Sequence, residues 1–274
     1  MRVLSDKEIK TFERDGVIPV RNAVDPQWVK RMLAVVEQQL DRPGQWANDG
    51  NAGANNNRMF TDRYLWQENT EIRAYIEDSG VARLAAQATR SDHMRFYFDH
   101  LLVKEPGTAT PTPWHQDIPY WPFLGRQICS VWVALTDATV QSSAMEFVRA
   151  SHADGKYYMP EVFGDREDHP NKWQREGRGE KVPAIEDHRD DYDIIGWDVS
   201  AGDAVLFSAW TLHWAPGNAS TSERRVAIST RWLGDDASWF PHQGADPTVT
   251  QDHVSLMPGE KVNDDVIFPV IWQA

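Results

Sequence analysis

Cysteine is nearly absent: Cys129 is the only one in 274 residues. No intrachain disulfide can form, no thiolate metal cluster can be built, and a lone thiol beside an apolar strand reads as a small core residue. Long apolar runs are missing as well. The start, Met1-Arg2-Val3-Leu4-Ser5-Asp6-Lys7-Glu8, has no apolar h-region, so neither a membrane span nor a secretory signal is expected, and the reading is cytoplasmic. Positive charge is scarce too, with 28 Lys and Arg against 41 Asp and Glu and a net charge of −13. That balance disfavours nucleic acid or an anionic membrane surface as a partner and sits poorly with an acyl-CoA. A small molecule is the expected partner.

What is present is patterned. A chain of this length can bury one sizeable core, so residues 1–274 are read as a single domain. Its first part, about residues 1–90, is helical. Ser5-x-x-Glu8 is a capping box for a helix ending at Gly16, and Val17 to Val20 read as a short strand. Asp25-Pro26 opens a second helix with Val29, Met32, Leu33, Val36 and Leu40 on one face, ending at Pro43-Gly44. Residues 44–58, rich in Gly and Asn, read as a loop, and a helix over 70–89 is broken by Gly80.

From Arg95 to about residue 236 the texture is that of strands: 95–103, 128–135, 145–148, 204–208 and 226–232 are rich in β-branched and aromatic residues. Repeated short strands without alternating helices predict a mainly β fold with flanking helices, an antiparallel sandwich or jelly roll. Residues 164–193 carry ten acidic and six basic side chains and read as a solvated excursion. The tail after Asp236 shows no pattern.

His115-Gln116-Asp117 is one of three H-x-D tripeptides, beside His152-Ala153-Asp154 and His188-Arg189-Asp190. Context separates them. Pro111, Pro113 and Pro119 keep the first out of a helix, and in an extended segment residues i and i+2 share a face. His152 sits in a turn and His188 in the charged excursion, without the rigid support a metal site needs. His213 follows the strand at 204–208, and a polar turn at Pro216-Gly217-Asn218 is expected to fold as a hairpin that returns Arg225 beside it. Two imidazoles and a carboxylate can hold a divalent iron with one face open. An arginine on an apolar strand needs an anion, because its charge is costly to bury alone.

These residues resemble the phytanoyl-CoA dioxygenase family. The likeness runs from Asp15-Gly16-Val17-Ile18-Pro19-Val20 through His100-Leu101-Leu102-Val103-Lys104, is densest at Trp114-His115-Gln116-Asp117-Ile118-Pro119, and continues through Val131-Trp132-Val133 to Arg225-Val226-Ala227-Ile228-Ser229. The resemblance implies a cupin-like double-stranded β-helix that uses iron(II), 2-oxoglutarate and O2. It makes His115, Asp117 and His213 the iron ligands, Arg225 the anchor of the cosubstrate's distal carboxylate, and Trp132 a wall of that pocket. Arg224 is the runner-up for the carboxylate, since strand alternation turns only one of the two inward. The family's Pro-Gly-Ser-His turn is Arg149-Ala150-Ser151-His152 here, and Trp214 stands where the family commonly has glycine.

With Asp117 retained, the implied reaction is oxidation of a C–H bond, by hydroxylation in the first instance, releasing succinate and CO2. The substrate is expected to be a small metabolite or natural-product intermediate, with Tyr97, Tyr120, Trp121, Phe123, Trp214 and Trp232 as candidate pocket walls. The alternatives are a jelly-roll hydrolase or isomerase, against which Arg225 counts, and a non-catalytic binding protein, which would not need the three ligands.

Overall fold

In the computed structural model, which describes residues 2–54, 56–159 and 179–274, four helices pack on one face of a large antiparallel sheet. Helix α1 (Asp6–Asp15) opens with the predicted capping box: the Ser5 hydroxyl accepts from the Glu8 N–H, and the Glu8 carboxylate accepts from the Ser5 N–H. Gly16 ends it at φ 76°, and a Cβ there would lie 2.4 Å from His152 Nδ1, so both the left-handed turn and the close approach require glycine. Helix α2 (Pro26–Asp41) is capped by Asp25 and buries Val29, Met32, Val35 and Val36. Gly80, at φ 89°, separates α3 (Thr70–Asp78) from α4 (Val81–Thr89) as the sequence predicts.

The large sheet runs in the order β1 (Val17–Val20), β10 (Ala204–Ser208), β7 (Ile128–Ala134), β12 (Arg225–Leu233), β4 (His93–Lys104), β3 (Met59–Arg63), β2 (Asn48–Gly50), with β14 (Val270–Gln273) also on β4. Facing it is a small sheet, β5 (Thr112–His115), β11 (His213–Ala215), β8 (Glu146–Val148), β9 (Ile194–Gly196). Strands β6 (Phe123–Leu124) and β13 (Ser238–Trp239) form a separate ribbon. This is the jelly-roll architecture the strand pattern predicts.

Period-two alternation divides the large sheet's side chains between two cores. Cys129, Val131, Val133, Leu206, Val226, Ile228 and Trp232 pack against the helices. Trp132, Ala134, Val205, Phe207 and Ala227 turn the other way and meet Phe147 of the small sheet. The site lies on this second side, between the sheets.

Two regions depart from the sequence expectation. The stretch 44–58 is not loop throughout, because β2 pairs with β3 and Arg58 grips Asp49 through two hydrogen bonds at 2.7 and 2.8 Å. Asn48-Asp49-Gly50 has no strand-forming side chain, so its conformation comes from its partner strand. The patternless tail supplies Trp239, Val254, Leu256, Val262 and Phe268 to a third core around Tyr97 and Phe123. Of the charged excursion, residues 164–178 lie outside the described residues. Its end, Glu186–Asp191, is a 3-10 segment with no buried side chain.

Ala150 occupies the turn position where the resemblance has glycine, and its φ of 60° and ψ of 8° are left-handed. An alanine there is strained by about 1–2 kcal/mol. Ala150→Gly is therefore expected to raise stability by up to about 1 kcal/mol after the added unfolded-state freedom is subtracted. Urea denaturation checks it; an unchanged or lower midpoint would mean the turn carries no such strain.

Candidate metal centre

His115 ends β5 and His213 begins β11, and the two are register partners. Their rings lie 4.1 Å apart between centroids. Each Nδ1 sits within hydrogen-bond distance of a backbone carbonyl two residues earlier, Pro113 O at 2.8 Å and Thr211 O at 2.9 Å. A carbonyl only accepts, so both Nδ1 atoms carry hydrogen and Nε2 is the coordinating nitrogen. The Nε2 atoms lie 3.7 Å (His115) and 3.8 Å (His213) from Asp117 Oδ1. Three ligand atoms, one from each residue, fall within 4.8 Å of one another, and this is the one such group of His, Cys, Asp or Glu among the described residues.

The segment is not extended through Asp117 as the sequence reading requires. The strand stops at His115, and Asp117 has φ −74° and ψ −38°, the residue before a 3-10 turn over Ile118–Tyr120 with Pro119 in its first positions. The turn brings the carboxylate to His115 where a strand's i, i+2 rule would otherwise have done so. Gln116 points elsewhere: its amide donates to Trp210 O and Lys156 O and accepts from the Tyr158 N–H. The other H-x-D sites stay apart. His152 Nε2 bonds Glu13 O, and His188 is exposed.

The predicted hairpin between His213 and Arg225 is also absent. His213 belongs to the small sheet and Arg225 to the large one, so the chain between them crosses from sheet to sheet. Asn218 fixes that crossing by donating to Lys104 O and Glu223 O.

Strand β12 still delivers Arg225 to the interior, as the first of an inward row Arg225, Ala227, Ser229, Arg231. Register partners complete the rungs: Lys104 beside Arg225; Leu102 and Ala134 beside Ala227; His100 and Trp132 beside Ser229; Phe98 and Ser130 beside Arg231. The last rung touches the triad, because Ser130 Oγ donates to Asp117 Oδ2 at 2.6 Å. Arg225 is 3% exposed, its guanidinium carbon lies 5.8 Å from the Trp132 ring centre, and its Nε and Nη1 hydrogens have no partner. Arg224 faces the opposite way and is fully committed, to Glu105 at 2.8 and 2.9 Å and to Glu37.

The electrostatics suit a cation at one end of the interior and an anion at the other. Burial would raise the Asp117 pKa, but Arg231, His115 and His213 outweigh it and hold the carboxyl well below the usual range. Burial, with His115 nearby, pushes His213 down to about 3, which keeps its imidazole neutral. Burial lowers Arg225 to about 10, and burial together with Arg225 drives Lys104 far below its ordinary value. A buried guanidinium whose Nε and Nη1 have no partner favours an incoming anion.

Several predicted walls are elsewhere. Trp232 faces the helices, 5.1 Å from Phe96, and Tyr97 and Phe123 are sealed into the third core. Trp214 stacks on Trp114 at 6.0 Å. Tyr120, 5.7 Å from the His115 ring, and Trp121 remain beside the site. Ser130, Lys104 and Arg231 were missed, although even offsets from Trp132 and Arg225 along their strands would have found Ser130 and Arg231.

The family description "Phytanoyl-CoA dioxygenase (PhyH)" matches residues 12–226. The multifunctional dioxygenase prhA of Penicillium brasilianum is 24% identical over 82% of this chain and 71% of its own length. The peroxisomal phytanoyl-CoA dioxygenase of Rattus norvegicus is 23% identical over 88% and 72%. Among solved structures, the non-heme alpha ketoglutarate dependent carbocyclase SnoK from nogalamycin biosynthesis has a TM-score of 0.71 at 23% identity, covering 97% of this chain and 96% of its own. The epimerase SnoN in complex with Fe3+, alpha ketoglutarate and nogalamycin RO has the same TM-score at 24% identity, covering 97% and 98%. These two share the fold.

Proposed function

The chain belongs to the phytanoyl-CoA dioxygenase family of non-haem iron, 2-oxoglutarate-dependent dioxygenases, and from that premise we propose that it hydroxylates a C–H bond of a small metabolite or natural-product intermediate. His115, Asp117 and His213 are its iron ligands in this reading. Adjacent ligand atoms each about 2.1 Å from one ion lie about 3 Å apart, so the separations of 3.7 and 3.8 Å would close on a shared metal with movements of under about 1 Å. Iron(II) bound there with 2-oxoglutarate supplies the activation of O2, with succinate and CO2 released.

The rest is the work of this chain's side chains. Arg225 takes the distal carboxylate of 2-oxoglutarate in a bidentate grip, with Lys104 beside it as a further N–H donor and Trp132 packing against the guanidinium. Ser130 orients Asp117 by hydrogen bonding the oxygen that does not face the histidines. Tyr120 and Trp121 hold the approach apolar and exclude water. The observation that carries the reading is Arg225: a guanidinium 3% exposed, on the strand leading to the triad, with two of its nitrogens unpartnered.

Anaerobic titration with iron(II) and then 2-oxoglutarate is expected to raise the weak visible charge-transfer band of the bidentate chelate. Folded protein that binds iron but gives no band would remove 2-oxoglutarate from the reaction and return the site to a hydrolase or isomerase.

A further inference from the structure

A second guanidinium, Arg231, faces Asp117 without hydrogen bonding to it. Arg231 ends the same inward row as Arg225, six residues further on and so roughly 20 Å away along the strand at about 3.3 Å per residue. It is 7% exposed, and its Nε and Nη1 hydrogens have no partner. The nearest carboxylate oxygen, Asp117 Oδ2, is 3.9 Å from Nε, beyond hydrogen-bond range, and already accepts from Ser130. Asp99, the other carboxylate that Arg231 feels, is occupied by the backbone N–H groups of Leu65 and Trp66.

The surroundings are aromatic. The guanidinium carbon lies 5.2 Å from the Phe98 ring centre and 5.9 Å from that of Trp121. His100, next along the inner face of β4, is half-buried although β4 has strands on both sides, so the interior opens one rung from Arg231, where Phe98 is 4% exposed with Tyr64 stacked on its ring at 4.7 Å. Charge points the same way. The iron(II) ion, the 2-oxoglutarate dianion and Asp117 together carry one net negative charge, which Arg225 alone balances. Arg63 has its own partner in Asp246 at 3.3 Å. Once Asp117 is spent on a metal, Arg231 keeps only a 3.9 Å ionic contact and no hydrogen bond for Nε or Nη1, a costly state for a buried guanidinium.

We propose that Arg231 is a specificity-determining residue that binds an oxyanion of the substrate, a carboxylate or acidic enol on a flat conjugated ring held beside the aromatic wall of Phe98 and Trp121. This deepens the dioxygenase reading and rests on it. The class of substrate becomes a planar, acidic, ring-bearing molecule held at the metal end of the interior, with 2-oxoglutarate at the Arg225 end. Arg231 acts by placement: one ionic contact beside the metal fixes which edge of the ring faces it.

Benzoate is the probe, with benzamide as its uncharged counterpart. Protein loaded anaerobically with iron(II) and saturating 2-oxoglutarate, so that the Arg225 end is filled, is titrated with each by calorimetry. Benzoate is expected to bind saturably, benzamide about ten- to hundredfold more weakly, and Arg231→Leu to lose benzoate by a similar factor while Arg231→Lys retains part of it. The chelate band, recorded first on every sample, reports folding and 2-oxoglutarate binding. If it is absent in the unmutated protein, the dioxygenase reading fails and the Arg231 proposal, which rests on it, is overturned with it. With the band present, the oxyanion proposal is overturned if benzoate does not bind, if benzamide binds equally well, or if Arg231→Leu leaves benzoate affinity unchanged. Loss of iron affinity in Arg231→Leu in step with benzoate would also overturn it, because Arg231 would then serve Asp117 and not the substrate.

Discussion

Asp117→Ala should abolish turnover and remove most of the iron affinity while leaving the protein folded. The carboxylate is the one anionic group of the three, and without it the site keeps two imidazoles beside Arg231, whose charge then repels a divalent cation. Ser130→Ala is the informative companion. It deletes a single hydrogen bond at 2.6 Å to the Asp117 oxygen turned away from the histidines. Groups that orient a metal ligand typically contribute about 10- to 100-fold in affinity or activity. The expected order is therefore unmutated protein, then Ser130→Ala lower by that factor, then Asp117→Ala with no measurable rate. Iron affinity from anaerobic chelator competition and initial rates of 2-oxoglutarate consumption give the comparison. An Asp117→Ala protein that binds iron as tightly as the original would take Asp117 out of the metal site.

Arg225→Leu is expected to have two opposite effects. A bidentate contact contributes two charge-assisted hydrogen bonds of about 1.5–3 kcal/mol each, so 2-oxoglutarate should bind about 10²- to 10⁴-fold more weakly. Without cosubstrate, however, the same variant should be at least as stable as the original, because it removes a buried charge whose Nε and Nη1 have no partner and which sits beside Lys104. Arg224→Ala should do the reverse. It breaks ion pairs to Glu105, itself 4% exposed, and to Glu37, so melting temperature falls while 2-oxoglutarate affinity changes little. Calorimetric titration and thermal denaturation, each with and without 2-oxoglutarate, separate the two arginines. A crossed result, with Arg224→Ala losing the cosubstrate, would put the inward register of β12 off by one residue.

Much of this was legible in the chain itself because it depends on neighbours in sequence. The capping box at Ser5, the Asp25-Pro26 start of α2 and the break at Gly80 are local hydrogen-bond and dihedral effects, and the structure reproduces each. His115, Asp117 and His213 were singled out by residue type and flanking texture, and the fold brings them together. Two of these placements arise by another geometry than their sequence neighbourhood suggests. Asp117 reaches His115 through a 3-10 turn and not an extended strand, and Arg225 reaches the interior from the opposite sheet and not through a hairpin with His213.

Composition and spacing by themselves determined the class: a helical front, a jelly roll of short strands, one H-x-D worth believing, and an arginine that needed an anion. Tertiary structure alone decided which arginine lacks a partner, since Glu37 and Glu105 lie 187 and 119 residues from Arg224 in sequence. It also decided that Ser130 supports Asp117, that the unpatterned tail closes a third core, and that Arg231 faces Asp117 with its Nε and Nη1 not hydrogen-bonded. The physical reason is common to all of these. Burial and charge pairing are set by which strands become neighbours, and a residue's own sequence context carries no record of what will face it across a sheet.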